Sequence, residues 1–224
     1  MRFGFVAFPR LTQLDLAGPH EVLSRLPGAE ALVVAATRDP IAGEFGLRLQ
    51  PDATFADAPP LDAIMVPGGP GIDGAIADDR LMAFLAERAP AARWVTAVCT
   101  GSLVLGAAGL LRGYRATTHW LSLDLLPLVG AIPIAERVVV DRNRVTGGGV
   151  TAGIDFGLRL AAELAGEAVA QRIQLVLEYD PAPPFAAGSP RTAPAAVVED
   201  VRARRAGLQA ERRALLERRA RMWA

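Results

Sequence analysis

The chain has 224 residues, 24 basic and 24 acidic side chains, two histidines and one cysteine; every basic residue is an arginine. The zero formal net charge argues against a chain-wide electrostatic footprint for nucleic acid or an acidic membrane. One cysteine excludes an intramolecular disulfide and, with only two histidines, the usual structural zinc sites, while the absence of lysine excludes Schiff-base chemistry and a Walker A loop. An apolar fraction of 51% is enough for a sizeable core, and the length suits one large α/β domain. The N-terminal run Met1 to Phe8 is stopped by Pro9 too soon for a signal peptide. No stretch of about 18 apolar residues appears, so no membrane span is expected. A reducing cytoplasm, where a lone thiol stays free, is the expected location.

The predicted elements alternate. Phe3 to Phe8 reads as a strand buried on both faces, and Asp15 precedes a short helix over His20 to Leu26, bracketed by Pro19 and Gly28. Ala31 to Ala36 is a second strand, and residues 37–60 read as a hairpin or excursion. Ala63 to Val66 is a third strand, broken by Pro67-Gly68-Gly69-Pro70-Gly71, and Leu81 to Arg88 is a helix. Trp94 to Val98 is a fourth strand running into Cys99, with a helix over Thr100 to Ala108. Asp141-Arg142-Asn143 turns a hairpin between Arg137 to Val140 and Arg144 to Thr146. Helices follow over Thr151 to Leu164 and Glu167 to Glu178. A segment with five prolines (180–194) then leads into a terminal helix from Ala195 to Trp223.

Apolar strands alternating with helices imply a mainly parallel sheet covered on both faces, a three-layer α/β sandwich. Residues 1–194 form the domain, and 195–224 a helix packed on it or on a partner subunit. In such sheets the ligand site lies beyond the carboxyl ends of the strands. Three features converge there: Asp15, the glycine loop and Cys99.

Cys99 sits on a strand-to-helix elbow, which pushes a side chain out at the sheet's edge. The helix N-terminus behind it would lower its pKa and favour a nucleophilic thiolate; the alternative is a small buried hydrophobe. Gly68 and Gly69 would aim backbone N–H groups at the thiolate, as in an oxyanion hole, or merely form a tight turn. Asp15 reads alone as a helix N-cap; beside a thiolate it would be held protonated as a general acid. His119 is either a partner activating the thiol or a structural residue beside Trp120. His20, inside the first helix, is mainly structural.

These residues carry a resemblance. The segments Gln13-Leu14-Asp15-Leu16-Ala17-Gly18-Pro19-His20, Val66-Pro67-Gly68-Gly69, Val98-Cys99-Thr100-Gly101-Ser102, Arg115-Ala116-Thr117-Thr118-His119-Trp120, Thr146-Gly147-Gly148-Gly149-Val150-Thr151 and Leu177-Glu178-Tyr179-Asp180-Pro181 resemble the isonitrile (isocyanide) hydratases. These are a PfpI-like branch of the class I glutamine amidotransferase-like superfamily. The resemblance implies a flavodoxin-like fold and a homodimer. It also implies cofactor-free, metal-free hydration of R–N≡C to the formamide R–NH–CHO. Cys99 would be the nucleophile forming a thioimidate, Asp15 the proton donor and Thr100 an orienting group. The small-molecule isocyanide is then the partner, with no nucleic acid and no membrane.

Two features separate this branch from its relatives. Many relatives carry glutamate where this chain has Asp15. Protease-like relatives have histidine and deglycase-like ones alanine where this chain has Thr100. The rival readings are glyoxalase, deglycase or peptidase-like chemistry on the same thiol, a redox sensor using Cys99, and a ligand-sensing transcriptional regulator. The last would need more than the single arginine-rich helix after residue 194. That helix carries an apolar face of Val198, Val201, Leu208 and Leu215, which reads as a packing surface.

Overall fold

The computed structural model describes residues 1–221; the expected helix end at Trp223 lies outside the described residues. The chain runs β1 (Arg2–Val6), α1 (Gln13–Leu23), β2 (Glu30–Ala35), β3 (Ile41–Ala42), β4 (Arg48–Leu49), β5 (Ala53–Thr54), β6 (Ala63–Val66), α2 (Ile72–Ala77), α3 (Asp79–Arg88), β7 (Trp94–Val98) and α4 (Gly101–Ala107). It continues through β8 (Arg115–Ala116), a 3₁₀-helical run (Trp120–Val129), β9 (Ile132–Pro133), β10 (Val138–Asp141), β11 (Arg144–Gly147), α5 (Ala152–Ala165), α6 (Glu167–Val176) and α7 (Ala195–Arg221).

Seven strands form the main sheet in the order β10-β11-β7-β6-β1-β2-β5, parallel throughout except for the β10–β11 hairpin. The central strands carry apolar residues on both faces. Phe3, Phe5, Ile64, Val66, Val95 and Val98 are completely buried, which requires helices above and below. Register fixes the site: Val66 pairs with Ala97, and Gly147 with Val98. The ends of β6, β7 and β11 therefore lie side by side, and the loops leaving them share one edge.

Two local readings change. The first helix starts at Gln13, not near His20, so Asp15 lies in its first turn rather than capping it. Thr12 occupies the cap position, and Pro19 sits inside the helix. Tertiary packing overrides the local breaker signal of Gly18-Pro19: a Cβ at Gly153 of α5 would stand 2.9 Å from the Pro19 ring, so only glycine lets α1 lie this close. Residues 37–60 resolve into the β3–β4 hairpin, followed by β5 on the sheet edge.

The terminal helix also departs from its sequence pattern. Val198, Val201, Leu208 and Leu215 are half-buried, whereas the fully covered residues are Leu216 and Arg212. Arg212 pairs with Asp73 of α2 at 3.2 Å, and Gln209 accepts from the Ser122 hydroxyl at 3.0 Å. These polar contacts hold α7 over the 3₁₀ run and beside the carboxyl ends of the strands.

Candidate active site

Cys99 leaves β7 with φ of +57°, a left-handed conformation unusual outside glycine. It is held there from several directions. Its N–H is shared between the carbonyls of Gly147 and Gly148, at 3.0 and 2.8 Å, and its own carbonyl accepts from the Thr118 hydroxyl at 2.8 Å. Gly101 makes the elbow possible, because a Cβ there would stand 2.2 Å from the Val66 carbonyl oxygen. Surrounding structure thus over-determines a strained residue, as is common where a side chain is positioned for chemistry.

The structure brings Asp15, Thr100, the Gly68–Gly69 turn and His119 around this thiol. Asp15 is fully buried. Its Oδ2 accepts the Gly68 N–H at 3.0 Å, while its buried Oδ1 has no partner of regular hydrogen-bond geometry. The carboxyl faces the Cys99 thiol within hydrogen-bonding reach. Burial, with Glu44 adding repulsion, raises the Asp15 pKa to about 7, against the opposing hydrogen bonds from Cys99 and Gly68.

The thiol does not follow the sequence expectation of a depressed pKa. Burial first, and the neighbouring Asp15 charge second, push Cys99 well above its ordinary range. The Thr100 N–H and hydroxyl oppose this by favouring the thiolate, but do not win. Two acids in contact, both raised, titrate as a pair that holds one proton firmly. The arrangement can therefore move a proton between sulfur and carboxyl without solvent.

The expected donors need the same correction. Gly68 gives its N–H to Asp15, and Gly69 gives its N–H to the Thr100 hydroxyl oxygen at 3.1 Å. Neither is free to hold a thiolate or oxyanion; both position the groups that touch sulfur. Close packing fixes them, since a Cβ on Gly68 would meet the Thr100 nitrogen at 2.5 Å. The donors facing sulfur are those of Thr100.

His119 shares the hollow over Cys99 but has the wrong properties for a base. Its Nδ1 accepts from the Leu121 N–H at 3.3 Å, which leaves the proton on Nε2. Burial, then the charges of Arg212 and Arg205, lower its pKa to about 4, so it is neutral at physiological pH. His20 packs against Phe5 in a tilted arrangement with ring centroids 5.0 Å apart, and it does not line the hollow over Cys99.

The hollow measures about 340 Å³ and includes Cys99, Thr100, His119, Glu44, Arg205 and Arg212 in its walls. Larger hollows of about 760 and 630 Å³ lie along β10 and between α7 and the 3₁₀ run, and neither touches Cys99. Three wall residues escaped the sequence reading. Glu44 comes from the β3–β4 hairpin, and Arg205 and Arg212 come from a helix read as a packing surface. Long-range contacts place them, Thr12 with Glu44 across 32 residues and Asp73 with Arg212 across 139, and no local spacing encodes these. Among the described residues no cluster of three or more His, Cys, Asp or Glu side chains could hold a metal, and no helix is long and apolar enough to cross a membrane.

Known proteins resemble this chain in sequence and fold. An isonitrile hydratase from Pseudomonas putida is 55% identical over 206 residues, 92% of this chain and 90% of that protein. A crystal structure of a ThiJ/PfpI family protein from Pseudomonas syringae superposes with a TM-score of 0.94 at 46% identity, covering 96% of this chain and 90% of that one. The HTH-type transcriptional regulator GbdR from Pseudomonas aeruginosa is 31% identical over 185 residues, 79% of this chain but only 50% of the regulator. The DJ-1/PfpI family model matches residues 1–163, which hold every strand of the sheet and the Cys99 elbow. On fold, elbow and sequence together, the chain belongs to the DJ-1/PfpI family.

Proposed function

We propose that the protein hydrates organic isocyanides to N-substituted formamides, without a cofactor, and that Cys99 and Asp15 carry the reaction. The observation that carries this reading is the buried carboxyl of Asp15 beside the Cys99 thiol on the strand-to-helix elbow, with burial raising the pKa of both groups. The 55% identity with an isonitrile hydratase over nearly the whole length supports it.

The terminal carbon of R–N≡C is electrophilic towards sulfur and becomes basic as sulfur adds. In the monoprotonated pair, Asp15 takes the thiol proton as the S–C bond forms, then gives it to that carbon. The product is the thioimidate R–N=CH–S–Cys99. Water then adds across the C=N bond, its hydroxyl to carbon and its proton, through Asp15, to nitrogen. Breaking of the C–S bond releases R–NH–CHO and returns the hydroxyl proton to the pair. Thr100 steadies negative charge on sulfur at the first and last steps. A raised thiol pKa suits this scheme, because the thiol is deprotonated only as it reacts.

The expected assembly is a homodimer in the cytoplasm. Large apolar side chains left open to solvent, such as Phe45 at 80% and Phe185 at 78% exposure, support a further covered surface. Sedimentation of the purified chain decides the stoichiometry. For the activity, pure protein is incubated separately with an aryl isocyanide and with methylglyoxal. Formamide from the first is the expected result; lactate from the second without formamide would assign the thiol to glyoxalase chemistry.

A further inference from the structure

The hollow over Cys99 is electrically polarised, and the hydration of a neutral isocyanide does not use that polarity. On one wall Glu44, fixed by the Thr12 hydroxyl at 2.9 Å, acts on Asp15. On the wall formed by α7, Arg205 and Arg212 act on His119. Three other arginines of this helix are held by acids: Arg204 by Asp200, Arg212 by Asp73 and Arg213 by Asp124. Arg205 lines the hollow and makes no ion pair with the described residues. Its neighbours one turn away along α7 are Val201 and Gln209, so no acid sits at the spacing that would quench it.

Continuity extends this wall outward. Leu121 and Gln209 line both the hollow over Cys99 and the larger one between α7 and the 3₁₀ run. There Arg202 lies over the Trp120 ring at 5.6 Å. A substrate whose reacting carbon points to the Asp15–Cys99 end would send its organic group along α7, towards Arg205. We propose that Arg205 selects isocyanides whose organic group carries an anion such as a carboxylate. This rests on the hydratase reading and names the substrate class of that same site.

The test compares 3- and 4-isocyanobenzoate with phenyl isocyanide in wild type, Arg205→Gln and Arg205→Glu. The carboxylate changes intrinsic reactivity too, but that factor cancels when variants are compared. The kcat/KM ratio of at least one isocyanobenzoate to phenyl isocyanide should fall about fivefold in Arg205→Gln, further in Arg205→Glu, and should shrink in 1 M salt for the wild type only. Calorimetric binding of the matching products, 3- and 4-formamidobenzoate against formanilide, should follow the same order and requires no turnover. If no isocyanide is converted, the hydratase reading fails, and product binding alone decides the role of Arg205. Ratios that Arg205→Glu leaves unchanged overturn it.

Discussion

The substitution Asp15→Asn separates the electrostatic account from a simple packing account. Asp15 is fully buried, and its pKa rises from 3.8 to about 7, first through burial. Ionising it in place therefore takes roughly 4 kcal/mol more than in the unfolded chain. A raised pKa favours folding of the protonated form. That stability is complete below pH 3.8, declines as pH rises and is lost above about 7. Asparagine keeps the acceptor for the Gly68 N–H and cannot ionise. Its stability relative to wild type should thus grow between pH 4 and 7 by roughly 4 kcal/mol, then stay level. In urea melts, with a slope of about 2 kcal/mol per M, the midpoints would separate by about 2 M at pH 8. A difference that does not vary with pH, or that grows in favour of the wild type, refutes the reasoning.

Activity should rise with pH through about 7, as the doubly protonated pair becomes monoprotonated, and Glu44→Gln should move that limb to lower pH by removing its repulsion on Asp15. His119→Ala should leave the same limb in place, since His119 is already neutral above about 4; a shifted limb would restore a proton-transfer role for it. Gly101→Ala drives a methyl group into the Val66 carbonyl, and thermal melts should show destabilisation of about 3 kcal/mol with loss of activity. Leu216→Ala, under α7, should cost about 3 kcal/mol in urea melts.

The alternation of apolar runs with helices placed the strand ends correctly, and with them Asp15, the glycine turn and Cys99, because a parallel sheet gathers those ends on one edge. The strand spans Ala63–Val66 and Trp94–Val98 were readable to the residue. Less was readable where long-range contacts decide. Pro19 looked like a helix start and lies mid-helix, because α5 presents glycine to it. The N–H groups of Gly68 and Gly69 looked free, but which acceptor they meet depends on α1 and on Thr100. Arg212 carried every sign of a solvated charge, yet Asp73, 139 residues earlier, covers it at the wall of the site. A helix end favours an acidic thiol, but burial and a facing carboxyl, which only the fold reveals, outweigh it.

Intact-protein mass spectrometry during isocyanide turnover tests the chemistry most directly. Rapid quenching of the wild-type enzyme at saturating isocyanide should trap the thioimidate formed on sulfur. The account predicts an added mass equal to the isocyanide, mapped to Cys99, and formamide production at least about 10³-fold lower in Cys99→Ala than in wild type. Undiminished formamide production by Cys99→Ala would contradict it.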